Sequence, residues 1–168
     1  MASTRAWFVA GLALAFLLGV PCVSTAARLG DPASEFAVAT WAKRGPVKLA
    51  DGKGKTIFVI DFWATWCGPS KEAIPHLTKL QRKFKDKGVV FIGVSMEDAS
   101  TVRTFVKTMG AKMDYAVAVD DRGWTARAYL GAFGIDWIPH AFVIDKEGRI
   151  IWHGHPMAEL EDVIEAVL

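Results

Sequence analysis

Two spacings of apolar residues alternate along the chain. Ile57-Phe58-Val59-Ile60 and Val89-Val90-Phe91-Ile92-Gly93-Val94 are short unbroken runs rich in branched side chains, a pattern that predicts buried central strands. After Cys67 the period changes. Ile74, Leu77, Leu80 and Phe84 recur three and four apart, which predicts a helix with Pro75 as a kink inside it. Val102, Phe105, Val106 and Met109 mark a second helix, with Asp98 or Ser100 available as its cap. Tyr115 to Val119 reads as a short strand and Trp124 to Leu130 as a short helix. Ala141 to Asp145 and Arg149 to Trp152 alternate as two strands around the turn Lys146-Glu147-Gly148. Met157, Leu160, Val163, Ile164, Val167 and Leu168 then give a final amphipathic helix. Before all of these, residues 28–55 carry only short β-like pieces such as Val47-Lys48-Leu49 and the turn signal Asp51-Gly52-Lys53-Gly54. Strands alternating with helices predict an α/β domain with a parallel-type core, closed by a hairpin and a helix.

The N-terminus follows a different rule. No charged residue occurs from Ala6 to Ala27; the run follows Arg5 and ends in Ser24, Thr25, Ala26 and Ala27. A basic start, an apolar centre and a small-residue exit describe a secretory signal peptide. The same run just reaches the length of a membrane anchor, although Pro21 interrupts it. The expected plan is therefore a leader or anchor over residues 1–27 and one domain over 28–168. Residues 6–27 would be the only contact with a membrane. An extracytoplasmic location follows, periplasmic or secreted. Removal of the leader would take Cys22 with it and leave Cys67 as the single cysteine.

Composition narrows the function. A chain of 168 residues with 52% hydrophobic and 23% charged residues can bury a core for one domain. A net charge of +2, spread evenly, argues against a nucleic-acid binder. Two cysteines exclude a disulfide scaffold and a Cys-only zinc site.

The chemistry concentrates in Asp61-Phe62-Trp63-Ala64-Thr65-Trp66-Cys67-Gly68-Pro69-Ser70. Cys67 follows a buried strand and opens a helix, where unsatisfied N–H groups and the positive dipole end favour an ionised, exposed sulfur. Pro69 has a backbone angle suited to a first helical turn. Gly68 lets a partner's backbone come close, and Trp66 supplies a flat apolar wall beside the sulfur.

These residues resemble the thioredoxin superfamily. The later Trp137-Ile138-Pro139-His140, before Ala141-Phe142-Val143-Ile144-Asp145, is similar to that family's proline loop and following hairpin. With the leader, the chain looks most like the TlpA-like branch, over roughly residues 36 to 168. The resemblance implies a thioredoxin-like α/β fold, with a central mixed sheet of four to five strands flanked by helices. It also implies that Cys67 is the attacking thiolate and that Asp61 is the buried acid that moves protons. Ile138 and Pro139, joined by a cis bond, would form the wall facing the sulfur. The partners implied are protein thiols and disulfides, with glutathione or a membrane-bound reductant as the source of electrons. No dissociable cofactor and no metal are expected, and a monomer is the expected state.

Ser70 breaks the family's pattern, which has a second cysteine there. A serine does not resolve a mixed disulfide, although its hydroxyl is able to donate a hydrogen bond to the Cys67 thiolate. Three readings follow: a monothiol oxidoreductase or isomerase, a redox-inert binding or holding module, and a Cys-to-Ser variant of a two-cysteine disulfide reductase. A peroxidase fits less well, because Ala64 stands where that chemistry wants a threonine. Among the histidines, His140 is expected to be solvated beside Pro139. His153 and His155 share one strand face at i and i+2, two short of a metal site.

Overall fold

The computed structural model describes residues 26–168, so all but the last two residues of the expected leader lie outside it. Six strands form one sheet: β1 (Val38–Lys43), β2 (Ile57–Phe62), β3 (Val89–Ser95), β4 (Ala116–Asp120), β5 (His140–Ile144) and β6 (Ile150–Gly154). Their spatial order is β1-β4-β3-β2-β5-β6. Strands β2, β3 and β4 are parallel, whereas β1, β5 and β6 pair antiparallel to their neighbours. The helices are α1 (Gly68–Phe84), α2 (Ala99–Met109), α3 (Trp124–Ala126, continued by a π-helical turn through Gly131) and α4 (Leu160–Val167).

The sheet is mixed and flanked by helices, with one strand more than the four to five expected. The additional strand is β1. It lies at the edge, and its register against β4 shifts between Val38 and Thr40 and again between Trp41 and Lys43. Such bulges destroy the two-residue alternation that would announce a strand. Val47-Lys48-Leu49 is not a strand. Asp98 precedes α2 but makes no side-chain cap, and α1 runs unbroken through Pro75. Helix α4 begins only at Leu160, leaving Met157 exposed.

Each face of the sheet has its own core. On one side Val59, Phe91 and Val117 pack against Ile74 and Leu77 of α1, Val102 of α2 and Ile164 of α4. On the other, Phe58, Ile60, Phe62 and Phe142 pack against Tyr129 and Leu130. Burial of each such side chain contributes about 1.5–3 kcal/mol. All six residues of β2 are buried, which is why this central strand can carry a loop held rigidly at its C-terminal end. Helix α1 is fastened to β3 as well. The Gln81 amide donates to Val89 O at 3.3 Å, and its Oε1 accepts from Phe91 N at 2.9 Å.

Candidate active site

The loop from Trp63 to Cys67 joins β2 to α1, and backbone bonds hold both of its ends. Trp63 N donates to Val94 O at 3.1 Å, and Cys67 N donates to Ala64 O at 3.2 Å. Between them Glu97 acts as a clamp. Its carboxylate accepts from Thr65 N at 2.6 Å, from Thr65 Oγ1 at 2.7 Å and from Ser95 Oγ at 3.2 Å. The sequence offers no spacing that would single out Glu97, since its partner lies 32 positions away.

Cys67 occupies the N-cap position of α1, with extended dihedrals (φ −83°, ψ 114°) and a proline in the first turn. Gly68 and Pro69 are exposed, and a Cβ built on Gly68 meets nothing within 4 Å. The backbone there is open to an approaching chain. Across from Cys67 stands the Ile138–Pro139 peptide bond, which is cis. The Cys67 thiol donates to Ile138 O across 3.7 Å, so the sulfur points at the proline loop. That contact corrects the expectation of an exposed cysteine: only 7% of Cys67 is accessible, because the proline loop covers it. Trp66, next to it, is 71% exposed.

Beneath the loop the polar groups are sealed in. Asp61 is 2% exposed and neither carboxylate oxygen has a hydrogen-bond partner. Burial holds its proton far above the ordinary carboxylate range. Ser70 is fully buried and its hydroxyl is also unpartnered. It makes no bond to Cys67, contrary to the hydrogen bond expected, because it follows the buried stripe of α1 towards Ile74 while Cys67 turns to Ile138. Cys67 is the one cysteine among the described residues.

Beside the sulfur an apolar cleft of about 580 Å³ runs between Trp66, Met96, Leu130, Ile135, Trp137 and Ile138, with Arg122, Arg127 and Asp136 also lining it. Sequence reasoning assigned roles to Trp66 and Ile138 but not to Met96 or Trp137, which come from separate loops. His140 departs from the solvated side chain expected. It is 2% exposed, and its Nε2 lies 3.0 Å from His153 Nδ1. Burial, then the neighbouring His153 and His155, push its pKa down to about 4. His155 instead stacks on Trp137.

Comparison with known proteins now adds to this geometry. The profile of the AhpC/TSA family matches residues 29–153. The thiol-disulfide oxidoreductase ResA of Bacillus thuringiensis (strain Al Hakam) is 33% identical over 125 residues, covering 74% of this chain and 68% of the relative. The chain belongs to the AhpC/TSA family. Within it, the chain is a thioredoxin-like protein of the TlpA type and an oxidoreductase in class. The ResA of Bacillus cereus (strain ATCC 10987 / NRS 248) is 35% identical over 124 residues, covering 73% of this chain and 67% of the relative. A thiol:disulfide interchange protein of the thioredoxin family from Chlorobium tepidum TLS superposes with a TM-score of 0.68. Its sequence is 27% identical, and the match covers 84% of this chain and 97% of that one.

Proposed function

We propose that this family member exchanges thiols and disulfides of extracytoplasmic proteins through Cys67 alone. The observation that carries the reading is a sulfur aimed at the proline loop, with Ile138 O at 3.7 Å, in a site whose position 70 holds a serine rather than a second thiol. The Cys67 thiolate attacks one sulfur of a substrate disulfide, a new S–S bond forms, and the second substrate sulfur departs as a thiolate. A thiol from outside, either glutathione, a membrane-bound reductant or a second thiol of the substrate, then attacks the mixed disulfide and regenerates Cys67. Asp61 is the internal proton carrier for these steps. Trp66, Gly68, Pro69 and Ile138 form the surface that receives the substrate chain, with the buried Pro139 behind it; Ser70, fully buried, lies beneath that surface rather than on it. Ala64 leaves peroxide chemistry without the hydroxyl it wants. The uncharged run over residues 6–27 supports delivery across a membrane, by a removed leader or a retained anchor.

The test is adduct formation. Treated with oxidised glutathione, the chain gains one glutathione on Cys67 that stays after the excess is removed, and added thiol takes it off. Ser70→Cys releases it unaided by closing an internal disulfide. Cys67→Ala gains nothing. An unmodified wild-type chain that still binds reduced polypeptides through the apolar cleft would overturn exchange in favour of a holding module, the reading that the exposed Trp66 and Trp137 support.

A further inference from the structure

The loop that carries Ile138 and Pro139 also carries Trp137, and a web of rings fixes where that indole stands. Alternation along β5 puts His140 and Phe142 on one face of the sheet. His153 of β6 lies opposite Phe142 in register. Its ring therefore comes to 5.2 Å from that of His140 and 5.0 Å from that of Phe133. The His140 ring in turn meets the Trp137 indole in a T-shaped contact, with centroids 4.4 Å apart. Ring packing thus runs from β6 through His140 to a residue that lines the apolar cleft.

The hydrogen bond inside the histidine pair favours one protonation. His140 Nδ1 is buried without a partner. Among backbone groups an unpaired acceptor is better tolerated than an unpaired N–H, and the same preference places the His140 proton on Nε2. From there it is donated to His153 Nδ1 across 3.0 Å, and His153 keeps its own proton on Nε2. A third proton has two places to go. At His140 Nδ1 it makes a buried charged N–H with no acceptor; at His153 Nδ1 it sets two N–H groups head to head. Either charge seeks water, which draws the His140 ring from its place against Trp137.

We infer that His140 and His153 are positioning residues for the Trp137 wall of the cleft, and that acid, by charging the pair, frees this wall and weakens the hold on a substrate polypeptide. The neighbours of the pair carry no charge that would offset a proton. Phe62 of β2 pairs with His140, while Phe133 and Phe142 pack on His153. The titratable groups nearby are His155, stacked on Trp137, and the Cys67 thiol, which reaches the same loop at Ile138 O. Burial, then the charges of His153 and His155, oppose a proton on His140. Burial opposes one on His153. Asp136, Arg122 and Arg127 line the cleft itself. The inference deepens the proposed exchange by naming what shapes its substrate cleft, and it rests on that reading for the substrate.

The experiment follows Trp137 rather than turnover, so its failure would leave exchange at Cys67 standing. The full chain is labelled with fluorotryptophan, and Trp137→Phe identifies the Trp137 resonance among the seven tryptophans. The pH series is recorded with His155→Gln in place, so that the pair supplies the titrating rings beside the indole. The resonance should move in acid, with a midpoint below the ordinary histidine value of about 6.5. At neutral pH, His153→Phe removes the acceptor and should already shift the resonance towards its acid position. His153→Asn restores an acceptor there and should bring it back. A neutral peptide with phenylalanine beside an S-methylated cysteine has no group of its own to titrate. Its affinity should fall about tenfold over the acid range, as for loss of the Trp137 contact. A folded His153→Phe chain with an unmoved Trp137 resonance overturns the inference, and this arm decides even if acid unfolds the wild type. A resonance that moves while peptide affinity stays constant overturns the link to substrate.

Discussion

The thiol of Cys67 lies 3.7 Å from the carbonyl oxygen of Ile138, across 71 positions of sequence. One contact therefore joins the start of α1 to the loop before β5, the two segments proposed to receive a substrate. It also explains how a cysteine at a helix start is largely covered. In the proposed exchange a disulfide enters between Trp66 and the proline loop, beside the apolar cleft.

That cleft should govern affinity for polypeptides without touching the chemistry. Trp137→Ala is expected to raise KM for a protein disulfide about tenfold, the effect of losing roughly 1.4 kcal/mol of apolar contact. Reaction with a small aromatic disulfide should stay at the wild-type rate. Equal losses on both substrates would show that the tryptophan shapes the site rather than the fit.

The buried acid makes a pH prediction with a definite sign. Asp61 keeps its proton more tightly folded than unfolded, so the native state loses ground as pH rises above the ordinary carboxylate value of about 4. Asp61→Asn has no proton to release. The two chains should melt together near pH 4, and the asparagine chain should melt about 3 °C or more above wild type at pH 7. Parallel melting curves across that range would contradict the assignment.

His140 acts in the opposite direction. With its pKa near 4 in the fold and about 6.5 when unfolded, it contributes full stability above pH 6.5. That contribution is lost as pH falls towards 4. His140→Gln should therefore flatten the acid limb of a denaturation series. The slope will not vanish, because His153 is also held below its ordinary value by burial.

Glu97 should matter through the loop it holds. Glu97→Ala removes the acceptor for two Thr65 donors, an expected cost of about 1–3 kcal/mol in urea unfolding. Faster amide hydrogen exchange at Thr65 and slower alkylation of Cys67 should accompany it. A protected Thr65 amide in the variant would mean that the backbone holds the loop without the carboxylate.

The central strands and the long helix were legible because burial imposes a period, and β2 and α1 are buried on the faces that the apolar spacing marks. Cys67, Ile138 and Pro139 were legible as a pair of motifs, and the structure brings them within contact. The bulged edge strand β1 was not, because register shifts erase its alternation. Glu97 and Trp137 carry no local signal either. Each acts through residues far away in the chain, and only the topology of the sheet brings those partners together. Ser70 was visible as a departure, but the direction of its hydroxyl depends on the turn of α1 that holds it.

The Gln81 side chain has one further effect. Pairing between β3 and β4 begins only at Ile92, so Val89 O and Phe91 N would otherwise face outward with no strand beside them. The glutamine amide supplies one donor and one acceptor in their place, imitating a peptide unit of a missing neighbour. A sheet margin sealed in this manner offers no template to a second molecule. The protein is thereby protected against self-association at the place where two of its strands diverge.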